Sequence, residues 1–344
     1  MKKTVISAGL FILMAFLVGC SNVVDTSKNT PDSTSPLIDA QLEEGIKTTS
    51  KGVKYLVDPD KIRGGGPTKG GIGIDKGIPS LAKENIKFIS VQEADEWIQD
   101  NELVLSLLYK NEKRVYPLQI MVWHEIANDI VAGDPIIVTY CPLCGSGIAY
   151  ESIIERNGLK EVSRFGTSGK LFNSNLIMYD EKTDTYWQQI DGKAIVGELT
   201  GQELTEISID TVIWRDWKEA HPDSKVLSQE TGMKRNYGRD PYGSYYEDSF
   251  LIFPIENSDD RIHPKQVIFG IEINGKHKAY QETDLVLADG KIEDTFNGVN
   301  ILLERDDAGT IKITNQDTKE EIIKERDFWF AWYAFHPETE LYKK

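Results

Sequence analysis

The stretch VTYCPLCGSGIAYE, residues 138–151, holds the side chains best suited to chemistry in this chain, Cys141 and Cys144. Two thiols at this spacing can exchange with a disulfide, supply two ligands to a metal ion, or staple the local backbone. The flanking residues bear on the choice. A redox pair of the thioredoxin type sits at the start of a helix, whose N-terminus lowers the thiol pKa. Here GSGIAYES follows, two glycines and then a strand-like alternation. Strand, C-P-L-C-G, strand is instead a cysteine knuckle, similar to the turns that hold iron in rubredoxin or zinc in zinc ribbons. Pro142 fixes the turn, Gly145 permits positive φ, and backbone N–H groups can face the sulfurs.

Such knuckles work in pairs, and this chain has one, so a metal needs ligands from elsewhere. The chain offers five histidines and five methionines, of which Met1 and Met14 belong to the leader described below. His124 lies in MVWHEIAND, with Met121 three positions earlier on the same expected helical face, and Met178 lies in LIMYD. Two thiolates, an imidazole and a thioether would suit copper, and a set with one open position would suit zinc or iron. The competing readings are thiol–disulfide exchange, with Cys141 attacking and Cys144 resolving, and a structural disulfide with Met121 and Met178 as core filler. The knuckle makes a bound metal, copper or zinc, the first expectation, with thiol–disulfide exchange, or a ligand-binding module stapled by a disulfide, as the alternatives.

The elements that must position these residues are mostly strands. ELVLSLLYKNEKRVYPLQIM, DPIIVTYC, SGIAYESII, NLIMYD, QVIFGIEINGKHKAY and VNILLERDDAGTIKIT alternate or run apolar between Gly, Asn and Asp turn signals. Helical patterns are fewer: VQEADEWIQD, IMVWHEIAND, and two segments that match one another. Trp214-Arg-Asp-Trp217-Lys-Glu-Ala-His221-Pro222 and Trp329-Phe-Ala-Trp332-Tyr-Ala-Phe-His336-Pro337 share W-x2-W-x3-H-P. Upstream, VLSLLYKNEKRVYPL resembles VIFGIEINGKHKAYQ, and NDIVAGDPIIVTYCPLC lines up with EDTFNGVNILLERDDAG. The expectation is an α+β, β-rich fold of two related halves from an internal duplication, 51–245 with the knuckle and 246–344 without cysteines. His221 and His336, present in both copies, read as residues tying a helix end to its sheet.

The chain begins with Lys2 and Lys3, an apolar run from Val5 to Val18, and LVGC. That order predicts a lipoprotein leader over residues 1–19 with Cys20 as the lipidated residue, followed by a flexible tether rich in Ser, Thr, Asp and Pro over 20–50. The protein is then expected outside the cytoplasm, held to a cell-envelope membrane by its lipid. The net charge of −16 becomes more negative once Lys2 and Lys3 leave, which disfavours nucleic acid as a partner. No G-x-S-x-G or H-E-x-x-H is present, so a hydrolase is not indicated.

IRGGGPTKGGIGIDKGIPSL, MVWHEIANDIVAGDPIIVTYCPLC, FGTSGKLFNSNLIMYDEKTDTYWQQIDGKAIVG and WKEAHPDSKVLSQETGMKRNYGRDPYGSY together resemble a bacterial and archaeal family known as domain of unknown function 3179, over most of residues 61–342. The resemblance implies no reaction. It carries over Trp123, His124, Asn128, Asp129, Cys141, Cys144, Gly166, Ser168, Gly169, Tyr179, Asp180, Trp187, Gln188 and the Arg239-Asp240-Pro241-Tyr242 turn. Among these, Gly166, Ser168 and Gly169 read as a Gly/Ser loop able to cradle a small ligand through backbone N–H groups, with Arg164, Asp180, Trp187 and Gln188 at its rim, or as a tight inter-strand turn. The RDPY turn reads as structural, and GGGPTKGGIG as a flexible segment without the flanks of a phosphate loop.

Overall fold

Alternation of apolar and polar side chains gives strands throughout, and the chain is β-rich. A computed structural model describes residues 45–65 and 78–343; the expected leader, Cys20 and most of the tether lie outside the described residues. The hairpin of β1 (Leu103–Tyr109) and β2 (Glu112–Pro117) leads into a short helix, α1 (Leu118–His124), and a meander of β3 (Ile126–Val131), β4 (Asp134–Cys141) and β5 (Ser146–Glu151). Next come β6 (Phe165–Phe172), β7 (Asn175–Asp180) and β8 (Tyr186–Gln188), consecutive strands of a seven-stranded sheet, and β9 (Glu206–Ile207), which returns to pair with β5. Then β10 (Asp210–Ile213) pairs with β1, α2 (Trp214–Ala220) follows, and β11 (Lys225–Leu227) lies parallel to β2.

The remaining chain repeats this order. The hairpin of β12 (Val267–Ile273) and β13 (Lys276–Gln281) precedes α3 (Glu282–Leu287) and a meander of β14 (Lys291–Phe296), β15 (Val299–Arg305) and β16 (Ile311–Asn315). Strand β17 (Lys324–Phe328) pairs with β12, α4 (Trp329–Phe335) follows, and β18 (Glu340–Leu341) lies parallel to β13. Side chains agree as well. Tyr116 donates its hydroxyl to Asp129 Oδ2 at 2.8 Å, as Tyr280 does to Asp294 Oδ2 at 2.9 Å. The Trp217 indole donates to Ser224 Oγ at 3.0 Å and the Trp332 indole to Thr339 Oγ1 at 2.9 Å. His221 and His336 pack on those two indoles, with ring centroids 4.3 and 4.1 Å apart.

The structure departs from the sequence reading at three places. IMVWHEIAND is not one helix: Glu125 takes φ 58°, ψ −30° after His124 and turns the chain into β3. Residues 165–172 form a strand with a bulge between Thr167 and Lys170, because each edge of that segment finds a partner. The last residues of the expected tether, Lys47–Thr48, already pair with Lys54–Tyr55. The described residues all fall within one compact unit, with no break at residue 245. Among them, no helix is long and apolar enough to cross a membrane.

Candidate functional site

The knuckle forms where β4 and β5 meet, with Cys141 and Ser146 as the last paired residues. Cys144 N–H donates to Cys141 O at 3.1 Å and Gly145 N–H to Pro142 O at 3.3 Å, closing the turn. Gly145 has φ +64°, and a Cβ there would lie 2.9 Å from the Phe328 ring, so both backbone and space require glycine. Neighbouring segments hold the outer carbonyls. Phe328 N–H donates to Cys144 O at 2.8 Å, and Tyr245 Oη donates to Leu143 O at 3.1 Å.

Both thiols are free and buried, Cys141 to 2% exposure and Cys144 to 0%, with their sulfurs 3.1 Å apart. An amide network orders the floor. Asn175 Oδ1 accepts from Gln188 Nε2 at 2.6 Å and from Ile190 N–H at 3.2 Å, while Nδ2 donates to Gln189 Oε1 at 2.7 Å. Those bonds fix the orientation of Asn175, so its Nδ2 also faces Cys144 Sγ, 3.4 Å away. Gln189 is fixed in turn by donating to Thr139 Oγ1 at 3.0 Å. Burial and the adjacent Cys141 raise the Cys144 thiol well above the ordinary thiol range, and the Asn175 amide opposes that rise.

Cavities lie on both sides of the knuckle. One of about 410 Å³ is lined by Tyr140, Gly145, Asp240, Tyr246, Arg326 and Phe328, and one of about 220 Å³ by Glu125, Leu143, Thr167, Gly169, Lys170 and Tyr242, among others. The RDPY segment and the residues after it thus cover the site, with Tyr242 in one wall, Tyr246 in the other and Tyr245 bonded to the knuckle. Their role was missed in the sequence because Pro and Gly mark a turn without saying what it packs on. Glu125 was missed too. It is buried on a left-handed backbone, and burial pushes its carboxyl up to about 8. Its only sequence signal is its position beside His124.

The other expected site residues are placed as follows. His124 Nδ1–H donates to Pro79 O at 2.8 Å, which leaves Nε2 to accept from the Tyr237 hydroxyl at 2.6 Å. With both nitrogens engaged and burial lowering its pKa to about 4, His124 is a neutral packed residue. Among the described residues, no three of His, Cys, Asp and Glu stand together as a group that could hold a metal ion. Met178 is fully buried in the core cluster that holds both cysteines. Gly166 lies under the Tyr179 ring, where a Cβ would sit 2.6 Å from ring atoms, and Ser168 Oγ donates to Ile177 O. Gly169 O accepts from Gly65 N–H at 2.8 Å, and Gly169 lines the cavity of about 220 Å³. Trp187 is core and donates to Asp180 Oδ2 at 3.0 Å, whereas Gln188 belongs to the network beneath Cys144. Arg164 forms a surface ion pair with Glu181 at 3.2 Å.

No curated protein and no solved structure matches this chain. A family model does, from residue 75 to residue 324, across the knuckle, the amide network, the tyrosine cover and most of the repeated strands. The chain therefore belongs to the family described as Protein of unknown function (DUF3179).

Proposed function

We propose that this protein is a cell-envelope lipoprotein acting in thiol–disulfide exchange through Cys141 and Cys144. The observation that carries the reading is a rigid turn holding two free sulfurs 3.1 Å apart, with an orientationally fixed amide N–H directed at one of them. A short step separates such a pair from a disulfide, and the amide stabilises the anionic sulfur through which exchange must pass. Cys141, the less buried of the two, attacks, and Cys144 resolves. Tyr140, Gly145, Tyr246 and Phe328, next to the knuckle, line a cavity large enough for a small disulfide, which a local opening of the turn would connect to the sulfurs.

The test is a redox titration of purified protein against glutathione buffers, with thiols trapped by alkylation and counted by mass. A pair that takes up and gives back two electrons, lost in C141S and in C144S, supports the reading; a pair that stays in one state across the whole range removes it. Elemental analysis of the same sample addresses the alternative of a bound soft metal. Copper or zinc present in the native protein and absent from C141S would favour an ion held by the two sulfurs with Met178, which shares their core cluster.

Anchoring at Cys20 is supported by the charged, apolar, small-residue order of the N-terminus. A C20A variant should leave the membrane fraction and should not incorporate labelled palmitate. The acidic charge and this address are consistent with partners outside the cytoplasm and not with nucleic acid. We further infer that the two units descend from an internal duplication. The common strand order, the matched Tyr–Asp pairs and the matched Trp–hydroxyl pairs support it, with residues 153–207 then an insertion into the first copy.

A further inference from the structure

Arg326 of β17 is a largely buried cation without a hydrogen bond. Its side chain is 11% exposed and its Nε is buried and unpaired. The nearest carboxylate, that of Glu282, lies 3.6 Å from a terminal nitrogen, close enough to attract the charge and past hydrogen-bond length. A guanidinium carries five N–H donors, and burying them without acceptors is costly. The fold holds Arg326 there all the same. Strand β12 pairs with β17 residue by residue, with Phe269 opposite Arg326 and Val267 opposite Phe328. Alternation along the strand puts Arg326 and Phe328 on one face, and both line the cavity of about 410 Å³ beside Gly145.

The hydrogen-bonding capacity of that wall is one-sided. Its two acids face solvent and are already engaged. Asp240 is exposed and accepts from Tyr242 N–H at 2.7 Å and from the Tyr246 hydroxyl at 3.0 Å. Glu102, part exposed, accepts from Gln99 N–H at 2.9 Å and from Gln119 Nε2 at 2.8 Å. Gln119 is used at both ends, since its Oε1 accepts from Gln229 Nε2 at 3.2 Å. Two donors remain, the Arg326 guanidinium and the Tyr140 hydroxyl, neither of which is hydrogen-bonded among the described residues. Apolar side chains, among them Val122, Val267 and Phe328, form much of the rest of the wall.

Size and chemistry together select a ligand. A space of about 410 Å³ falls within the range of pockets that hold small organic molecules. Free donors on a planar fork call for a carboxylate, and the apolar wall calls for a hydrophobic body attached to it. Asp240 and Glu102, although screened by water, oppose a second negative charge, which disfavours a dianionic phosphate. Arg326 also borders a groove of about 600 Å³, but Glu282 stands in that wall, so the groove already holds a counter-charge. We propose that the cavity beside Gly145 binds a small organic monocarboxylate, with Arg326 and Tyr140 holding the carboxylate and the apolar wall its body. This goes beyond the exchange reading and does not rest on it, since no sulfur takes part.

Ligand-observed NMR on the full-length protein compares phenylacetate with its neutral isostere phenylacetamide and with the dianion phenyl phosphate. Phenylacetate is expected to bind at least about tenfold more tightly than either, the scale of a charge-assisted hydrogen bond. R326M should abolish the preference over phenylacetamide, R326K should restore part of it, and Y140F should weaken phenylacetate severalfold. Equal binding of phenylacetate and phenylacetamide by the wild type, binding of neither, or tighter binding of phenyl phosphate overturns the proposal. So does an R326M variant that keeps the preference. Should R326M not fold, Y140F decides, because the hydroxyl it removes bonds to nothing in the fold: an unchanged affinity for phenylacetate overturns the proposal as well. The exchange reading is untouched by any of these results, because the assay reads no thiol chemistry.

Discussion

The turn at Cys141–Ser146 and the turn at Asp306–Thr310 occupy the same place in two units of the same strand order. The second closes on its own backbone and side chain, with Asp306 accepting from Gly309 N–H and Thr310 N–H, and packs only its small Ala308 into the core of the first unit. The first is held from outside, by Phe328 of the other unit, by Tyr245 of the tyrosine cover and by Asn175 of the intervening strands. The same contrast separates the helices. In α2 only Trp214 and Trp217 are buried, whereas α4 also buries Phe330, Ala331 and Ala334. Phe330 and Ala331 join the core around the cysteines, so α4 carries a second apolar face. The lesson is that the shared framework sets where a turn stands, and the extra layers against it make that turn a site.

Four experiments would break or sharpen this comparison. The largest effect is expected from W217A and W332A. Each indole is fully buried at an equivalent position, so each variant should lose roughly 3–5 kcal/mol in urea unfolding. One loss much smaller than the other would mean that the matched positions are not matched in energy. Next, G145A adds a Cβ to a left-handed residue 2.9 Å from the Phe328 ring, while G309A does so where the nearest atom is 3.5 Å away. The first should cost about 3 kcal/mol from strain and crowding together, and the second about 1 kcal/mol from strain alone. Equal costs would show that the first turn is no more tightly held.

The third concerns pH. Burial raises Glu206 to about 8 and Asp327 to about 7, so the folded chain binds these protons more tightly than the unfolded one. Their stabilising contribution is complete below the ordinary carboxyl range, near pH 4, and is lost as pH rises through 7 to 8, with a slope of at most about 1.4 kcal/mol per pH unit for each group. Urea unfolding at pH 5, 7 and 9 should show the decline, and D327N should flatten it; a slope unchanged in D327N would place the linkage elsewhere. The smallest effect belongs to Y116F and Y280F, each losing one hydrogen bond to an aspartate and about 1 kcal/mol. Unequal losses would argue against energetic equivalence of the two hairpins.

Much of this was legible in the chain. Cys-Pro-Leu-Cys-Gly between alternating runs specifies a turn between strands, and W-x2-W-x3-H-P specifies a helix end packed on a sheet, because both signals are local. Composition misled at Phe-Gly-Thr-Ser-Gly, which looks like a loop and is a strand because β7 and Arg63–Gly64 supply its hydrogen bonds. His124 looked like a ligand, but Pro79 and Tyr237, each distant in the chain, take both of its nitrogens.

By itself, then, the sequence determined the β-rich character, the strands and the turn that brings two sulfurs together, since these depend on residues a few positions apart. Only the tertiary structure decided that Asn175 faces Cys144, that three tyrosines cover the knuckle and that Asp327 is fully buried beside Ser146 and Glu325. Those relations depend on burial and on contacts between distant segments, which no short-range pattern records.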